Sequence, residues 1–334
     1  MTSTLSANKA PSSQSAFSGL VQRSLNSSTA PIALALIIVS VILTFLTPMF
    51  LTWGNLGNII TQSSVVGIAA VGATFVIITS GIDLSVGANV AFSGVVGAIV
   101  AQNTNGFIGI LTILVVSSAI GAFNGFAVAW LRLAPFIVTL AVLGMARGLT
   151  LQISQGQSVF GLPDVLNWLG TADFFGIKLA AILTVIIFIV AHFVLSRTTF
   201  GHQIYAVGGN SEAARLAGIN AKRVILLAYV IAGFCAGIAT IVTLGRLDSA
   251  TPNAAIGLEL NVIAAVVIGG TSLFGGKGSM VGTLIGVLLI GVINNGMILL
   301  NVSPFFVQFV QGVLIFLAVL LDAYNTRRVN KQRQ

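Results

Sequence analysis

From residue 31 to 322 the sequence divides into apolar runs of about twenty residues, separated by short polar or glycine-rich connectors. A hydrocarbon layer roughly 30 Å thick takes about 20 residues to cross as a helix, so runs of this length read as membrane spans. With 56% apolar and only 7% charged residues, and a mean hydropathy of +1.05, the chain lies outside the range of a water-soluble domain. Its 334 residues leave room for about ten spans and their loops. The fold class is therefore all-α, a polytopic transmembrane helix bundle forming one membrane domain. The single cysteine, Cys235, sits in an apolar stretch and excludes a disulfide framework or a cysteine-rich metal site. Packing is its role.

Turn and charge punctuation places helices at about residues 31–48, 56–79, 86–102, 107–131 and 135–153. Five more follow at about 178–195, 223–244, 258–274, 279–300 and 305–322. Ten spans put both termini on one side of the membrane. Fifteen basic residues against seven acidic ones are a topology signal rather than a sign of nucleic-acid binding, because lysine and arginine gather in cytoplasmic loops. With the N-terminus inside, cytoplasmic segments hold Lys9, Arg23, Arg132, Arg197, Arg215, Lys222, Arg223, Lys277, Arg327, Arg328, Lys331 and Arg333. Outer loops hold only Lys178 and Arg246, and Arg147 alone falls within a span. Both termini are expected in the cytoplasm. Residues 1–30 read as a disordered N-terminal tail, 31–322 as the membrane domain, and 323–334 as a basic C-terminal tail. The first apolar run ends in Pro48-Met49-Phe50 without a small-x-small cleavage pattern, so it reads as a span rather than a signal peptide.

Two segments resemble each other. Ile68-Ala69-Ala70-Val71 recurs as Ile263-Ala264-Ala265-Val266, Gly81 as Gly276, and Val86-Gly87 as Val281-Gly282. Each reads as helix, glycine-containing break, helix, an organisation that internally repeated transporters share. Chance likeness between Gly/Ala/Val-rich helices explains it equally well. Small residues four apart at Gly121/Gly125, Gly233/Gly237 and Gly278/Gly282/Gly286 let helix backbones approach closely.

The connector Gly208-Gly209-Asn210-Ser211-Glu212-Ala213-Ala214-Arg215-Leu216-Ala217-Gly218-Ile219-Asn220 specifies a short helix that does not span. Asn210 or Ser211 can cap it, Glu212 complements the dipole in its first turn, and Gly218 can end it in the left-handed conformation. Ala213, Leu216 and Ala217 make one small apolar face. Two turns are unstable alone, so this helix needs something to pack against.

Glu212-Ala213-Ala214, Arg215 and two further residues, then Gly218 resemble the EAA…G cytoplasmic-loop motif of ABC importer permeases. Longer strings agree: Ile77-Ile78-Thr79-Ser80-Gly81-Ile82-Asp83-Leu84-Ser85-Val86-Gly87, Tyr205-Ala206-Val207-Gly208-Gly209-Asn210, and Ile268-Gly269-Gly270-Thr271-Ser272-Leu273-Phe274-Gly275-Gly276-Lys277-Gly278. Together, in matching order from about residue 30 to 322, they resemble the ribose/xylose-type branch of sugar permeases. The resemblance implies a multi-pass protein of the bacterial inner membrane that imports a monosaccharide, ribose first and xylose, galactose or allose after it. It implies a homodimer or pseudo-dimer of permeases in the lipid bilayer, a cytoplasmic ATPase subunit docking on the loop at about 197–222, and a periplasmic sugar-binding protein. ATP-Mg is then a cofactor of the partner and none is expected on this chain, which reads as a transport subunit rather than an enzyme.

Asp83, Ser85 and Gly87, with Gly275, Gly276 and Gly278, belong to the family strings. Capping of the third helix is the simplest role for Asp83 and Ser85. The Gly275-Gly276-Lys277-Gly278 turn is not a phosphate loop, because Lys277 is followed by glycine rather than Ser or Thr. Arg147 must face protein, water or headgroups. A bond to carbonyls and a place in the pathway are both open to it. Gln62, Asn124, Asn261, Asn294, Asn295 and Gln308 are polar residues within spans. Each can either present hydrogen-bonding groups to a polyol or bond one helix to another.

Two rivals of other classes are disfavoured. An ion-coupled secondary sugar transporter usually needs carboxylates within its spans, and the seven acidic residues fall in loops or near span ends. An intramembrane enzyme needs a nucleophile or metal constellation, but His192 and His202 lack the HExxH arrangement and no GxSxG is present.

Overall fold

The computed structural model describes residues 29–174 and 176–331; residues 1–28, most of the expected N-terminal tail, lie outside them. Among the described residues are thirteen helices and two small strand pairs. The helices are α1 (Ala30–Leu46), α2 (Trp53–Ile78), α3 (Val86–Asn103), α4 (Gly106–Ala129), α5 (Pro135–Ser154), α6 (Asp164–Thr171) and α7 (Leu179–Arg197). Then come α8 (Thr199–Gly209), α9 (Ser211–Leu216), α10 (Ala221–Leu247), α11 (Leu258–Ile268), α12 (Met280–Leu299) and α13 (Pro304–Lys331). Strands β1 (Val159–Phe160) and β4 (Ser249–Ala250) pair antiparallel, as do β2 (Asp173–Phe174) and β3 (Ile177–Lys178). Strands β1, β2 and β3 with α6 organise the connector between α5 and α7, which carries no apolar run and gave no signal of them, and β4 after α10 ties it to the following loop.

Helix starts follow local chemistry. Thr52 accepts from Asn55 N–H at 3.4 Å, Asn105 from Ile108 N–H at 3.0 Å, and Ser279 from Gly282 N–H at 3.0 Å, each satisfying a donor that the first turn leaves free. Pro135 opens α5, where its missing N–H costs nothing.

Seven helices, α2, α3, α4, α5, α7, α10 and α12, are long and apolar enough to cross a membrane. The chain is a multi-pass, all-α membrane protein. A helix also stands at each of the other three expected spans, but α1, α11 and the apolar part of α13 (Phe305–Leu317) are shorter. For α11 the reason is local: Gly270 at φ 90° turns the chain out of the helix, so it stops at Ile268 where the apolar pattern pointed to 274. The final helix instead continues to Lys331 through the basic segment.

At the centre stand α2 and α10. α2 is almost continuously buried from Ser63 to Ile78, and α10 packs against α2, α3 and α4. Outside them, α5 and α7 turn large apolar side chains outward, among them Leu140, Met145, Ile189 and Phe193. Such an exterior suits lipid, whose tails are as apolar as these residues. The two similar segments lie side by side, with α11 and α12 both packed on α2. A hydroxyl pair, Thr74 and Thr283 at 2.9 Å, joins them within the bundle.

Glycine sets how closely these helices cross. Where α4 meets α10, a Cβ on Gly121 would run into the Tyr229 carbonyl, and one on Gly233 into the Ser117 carbonyl. Where α11 meets α12, a Cβ on Gly282 would run into the Gly269 carbonyl, and one on Gly286 into that of Ala265. Backbone is thus the neighbour, and backbone cannot change rotamer to make room. Gly282→Leu is therefore expected to lower the yield of monodisperse protein on detergent size-exclusion chromatography several-fold. Gly57→Ala, facing open space on a helix, should leave that yield unchanged or raise thermal stability by up to about 1 kcal/mol through helix propensity.

Candidate functional site

Three of the six polar residues expected in the pathway come together. Gln62 of α2, Asn261 of α11 and Asn294 of α12 line a cavity of about 280 Å³, with Ser63, Thr243 and Arg246 as further polar walls. Its volume is close to the lower end of the range of roughly 300–1,000 Å³ for small-molecule pockets. Asn294 Nδ2 stands 3.5 Å from Asn261 Oδ1, and Gln311 Nε2 donates to Asn294 Oδ1 at 3.2 Å. Ser63 Oγ is buried, with no hydrogen-bond partner among the described residues. A second cavity of about 250 Å³ shares Gln62 and Arg246 as walls and adds Asn58, Thr61, Thr171 and Lys178. Among the described residues no carboxylate lines either one. Amides and hydroxyls that both donate and accept suit a neutral polyol, whereas a cation site would call for acidic oxygens.

The other three polar residues lie elsewhere. Asn295 exchanges two hydrogen bonds with Asn55 at 2.8 and 3.0 Å, bonding α12 to α2. Asn124 is fully buried and donates to Ser85 Oγ at 2.9 Å. Gln308 is exposed on α13. Periodicity could not sort these, because helices hydrophobic all round carry no stripe that marks a facing side. It also left out Arg246 and Gln311. Arg246 reads as an outer-loop residue, but α10 runs one turn further than its apolar pattern and carries the guanidinium between both cavities.

The capping role of Asp83 and Ser85 takes a different form. Ser85 occupies the position before α3, yet its side chain makes no cap bond there. It instead donates to Asp83 Oδ1 at 2.6 Å, and its backbone N–H donates to the same oxygen at 2.8 Å. The acceptor that closes the turn is Asp83, two residues upstream, while Ser85 is spent on Asp83 and Asn124 and ties the turn to α4. Burial pushes the Asp83 carboxyl above its ordinary pKa, and the bonds from Ser85 pull it back. Gly87 allows α3 to approach the loop before α11, since a Cβ would run into Glu259 Oε2 and the Ala255 carbonyl. Arg147 Nη1 donates to the carbonyls of Pro252 and Ala254 at 2.7 and 3.0 Å. It satisfies irregular backbone beside α11, the carbonyl bond that was one of its open roles.

The short connector helix forms as its residues require. Asn210 Oδ1 accepts from Ala213 N–H at 3.0 Å, Glu212 and Arg215 pair at 3.0 Å on the surface, and Gly218 takes φ 83°. Ala214 is its buried anchor. Ala213, Leu216 and Ala217 face outward, with Leu216 79% exposed.

Apolar spans around a cavity whose wall mixes amides, hydroxyls and Arg246 with apolar side chains, and a short helix offered at the surface, fit a transport protein of the membrane. A family profile described as branched-chain amino acid transport system / permease component matches residues 55–319. The chain is 44% identical to the ribose import permease protein of Escherichia coli (strain K12), over 86% of this chain and 92% of that protein. It is 42% identical to the D-allose transport system permease protein of the same organism, over 82% and 84%. It is 36% identical to the L-arabinose ABC transporter permease protein of Azospirillum brasilense, over 90% and 89%. No solved structure matches. The chain belongs to the permease subunits of ABC importers, within their ribose-type sugar branch.

The cavity assigns different costs to neighbouring amides. Asn261→Leu and Gln62→Leu are each expected to raise the sugar concentration for half-maximal uptake about tenfold, the loss of one hydrogen bond to a bound hydroxyl. Asn295→Leu should leave that concentration unchanged and lower thermal stability by about 1 kcal/mol by breaking the pair with Asn55. Uptake curves and detergent melting curves for the three variants check both halves.

Proposed function

We propose that this chain forms the translocation pathway of an ATP-driven importer for a neutral monosaccharide, ribose first, in the bacterial inner membrane. The sugar passes between α2, α10, α11 and α12 through the two cavities that share Gln62 and Arg246. In this reading the chain crosses the membrane ten times with both termini in the cytoplasm, which places the basic residues of the connectors, Lys178 excepted, on the inside. Residues 1–30 and the basic segment 323–334 are cytoplasmic in it. A periplasmic binding protein delivers the sugar, a second permease completes the pathway, and a cytoplasmic subunit hydrolyses ATP-Mg. This chain supplies no nucleotide site.

The observation that carries the reading is α9, at the centre of the cytoplasmic loop 197–222. Held by Ala214, it presents Ala213, Leu216 and Ala217 to solvent, a small apolar face that a groove in an ATPase subunit would bury. Ribose leads the substrate choice because the relative at 44% identity is a ribose permease. The ion-coupled alternative finds no carboxylate on the cavity walls.

Competitive uptake of labelled ribose in cells with and without this chain tests the substrate. Uptake should vanish with the chain, and unlabelled ribose should compete better than xylose, galactose or allose. Persistence of uptake after deletion of the ATPase subunit would contradict the mechanism. For coupling, Gly218→Val places a β-branched residue at φ 83°, and Glu212→Lys reverses a favourable helix-end charge. Both variants should insert normally, bind the ATPase subunit more weakly in a pull-down and lose sugar-stimulated ATP hydrolysis. Normal values for both would return α9 to an ordinary surface helix.

A further inference from the structure

The helix breaks of the two similar segments, residues 79–85 and 269–279, meet at one place, and that place is the base of α9. Gly276 N–H donates to the Ile78 carbonyl at 2.9 Å, joining one break to the end of α2. Ser80 stands between them. Its hydroxyl lies 3.0 Å from the Phe274 carbonyl in the second break and 3.2 Å from the Gly208 carbonyl at the end of α8. One proton serves two acceptors. One turn earlier on α8, Tyr205 O–H donates to the Gly278 carbonyl at 2.8 Å. Only Asn210 separates α8 from α9, and its side chain caps α9.

The contacts around these bonds are backbone on backbone. A Cβ on Gly208 would run into the Ile78 carbonyl, and one on Gly275 into Ser80 Oγ. One on Gly276 would lie 2.8 Å from Gly209 Cα. Side chains yield by changing rotamer, but packed backbone yields only by moving whole segments, so displacement of one is carried to the next. Ser80 itself takes φ 63°, a left-handed conformation that disfavours any residue with a Cβ and persists when its surroundings hold it. Here Ser80 is held by carbonyls from two other segments.

We infer that Ser80 and Tyr205 are positioning residues of the transport cycle, clasping the base of α9 to both repeat breaks so that one movement of α9 shifts both halves of the pathway wall. The inference rests on α9 being the ATPase-docking helix. It explains why Gly275, Gly276 and Gly278 stand in a turn that binds no phosphate: they let the second break come down onto α8. A competing route runs from α9 through Ile219 and Asn220 directly into α10, which Asn220 caps, and it bypasses the clasp.

Ser80→Ala, Ser80→Gly, Tyr205→Phe and the Ser80→Ala/Tyr205→Phe double variant, each as the full chain reconstituted in liposomes with the ATPase subunit and binding protein, separate these routes. The readout is ribose taken up per ATP hydrolysed, beside ATPase pull-down and thermal stability. The double variant should bind the ATPase subunit normally and melt near the wild type, while uptake per ATP falls about tenfold, within the usual range of coupling between sites. Ser80→Gly, which relieves the left-handed strain but still lacks the hydroxyl, should be as defective as Ser80→Ala. Wild-type uptake per ATP in the double variant overturns the clasp and favours the α10 route. Recovery in Ser80→Gly also overturns it, by assigning the defect to strain, and loss of assembly in the single variants reduces the contacts to packing. Glu212→Lys distinguishes the underlying reading: normal ATPase binding in that variant removes the docking role of α9, whereas weak binding beside normally coupled clasp variants removes only the clasp.

Discussion

Backbone amides and carbonyls that enter a bilayer must find partners within the protein, because lipid offers none. The long helices meet this demand internally. The difficulty falls on the interruptions: residues 79–85, the loop before α11, and residues 269–279. In each, part of the backbone is satisfied by another segment of the chain, while Ser80, Ile256, Phe274 and Lys277 stay exposed. Arg147 serves the carbonyls of Pro252 and Ala254, Asp83 closes the turn before α3, and Gly276 N–H pairs with the Ile78 carbonyl. Glycine makes this possible, since Gly87, Gly208 and Gly275 stand where any Cβ would strike backbone or a side-chain oxygen. The abundance of glycine is thus a geometric consequence of bringing broken helices together without water.

The same interruptions shape what the molecule can do. The first turn of α11 places Asn261 opposite Asn294 of α12 and near Gln62 of α2. The cavity between them is walled by these amides, two hydroxyls, Arg246 and apolar side chains, and among the described residues no carboxylate lines it. In the proposed function such a site holds hydroxyls by hydrogen bonds, with the Arg246 guanidinium as a further donor. Energy for moving a neutral solute must then come from outside the cavity, which fits a family whose permeases work with a separate motor.

Much of the architecture could be read directly from the chain. Ten apolar runs marked ten helices, and residues 208–220 announced a capped two-turn helix with a left-handed glycine end, as Asn210 and Gly218 show. The family strings were specific because they combine glycine spacing with fixed polar residues. What stayed hidden depends on facing. Asn124, Asn261 and Asn295 look alike in sequence, yet one bonds Ser85, one lines the cavity and one pairs with Asn55. Only long-range packing separates them. Arg246 and Gln311 were missed for the same reason. Helix length was also overestimated at α11, because Gly269 and Gly270 continue an apolar pattern while ending the helix.

The central claim is that this chain is a conduit for a neutral sugar, driven by ATP hydrolysed on another subunit. Its most direct test is purified, complete transporter in proteoliposomes, comparing ribose accumulation under an imposed proton or sodium gradient with accumulation driven by ATP on the motor side. Accumulation with ATP at zero ion gradient, and none with the gradients alone, is the predicted result. Accumulation driven by an ion gradient without ATP would contradict the account and move the coupling site into this chain.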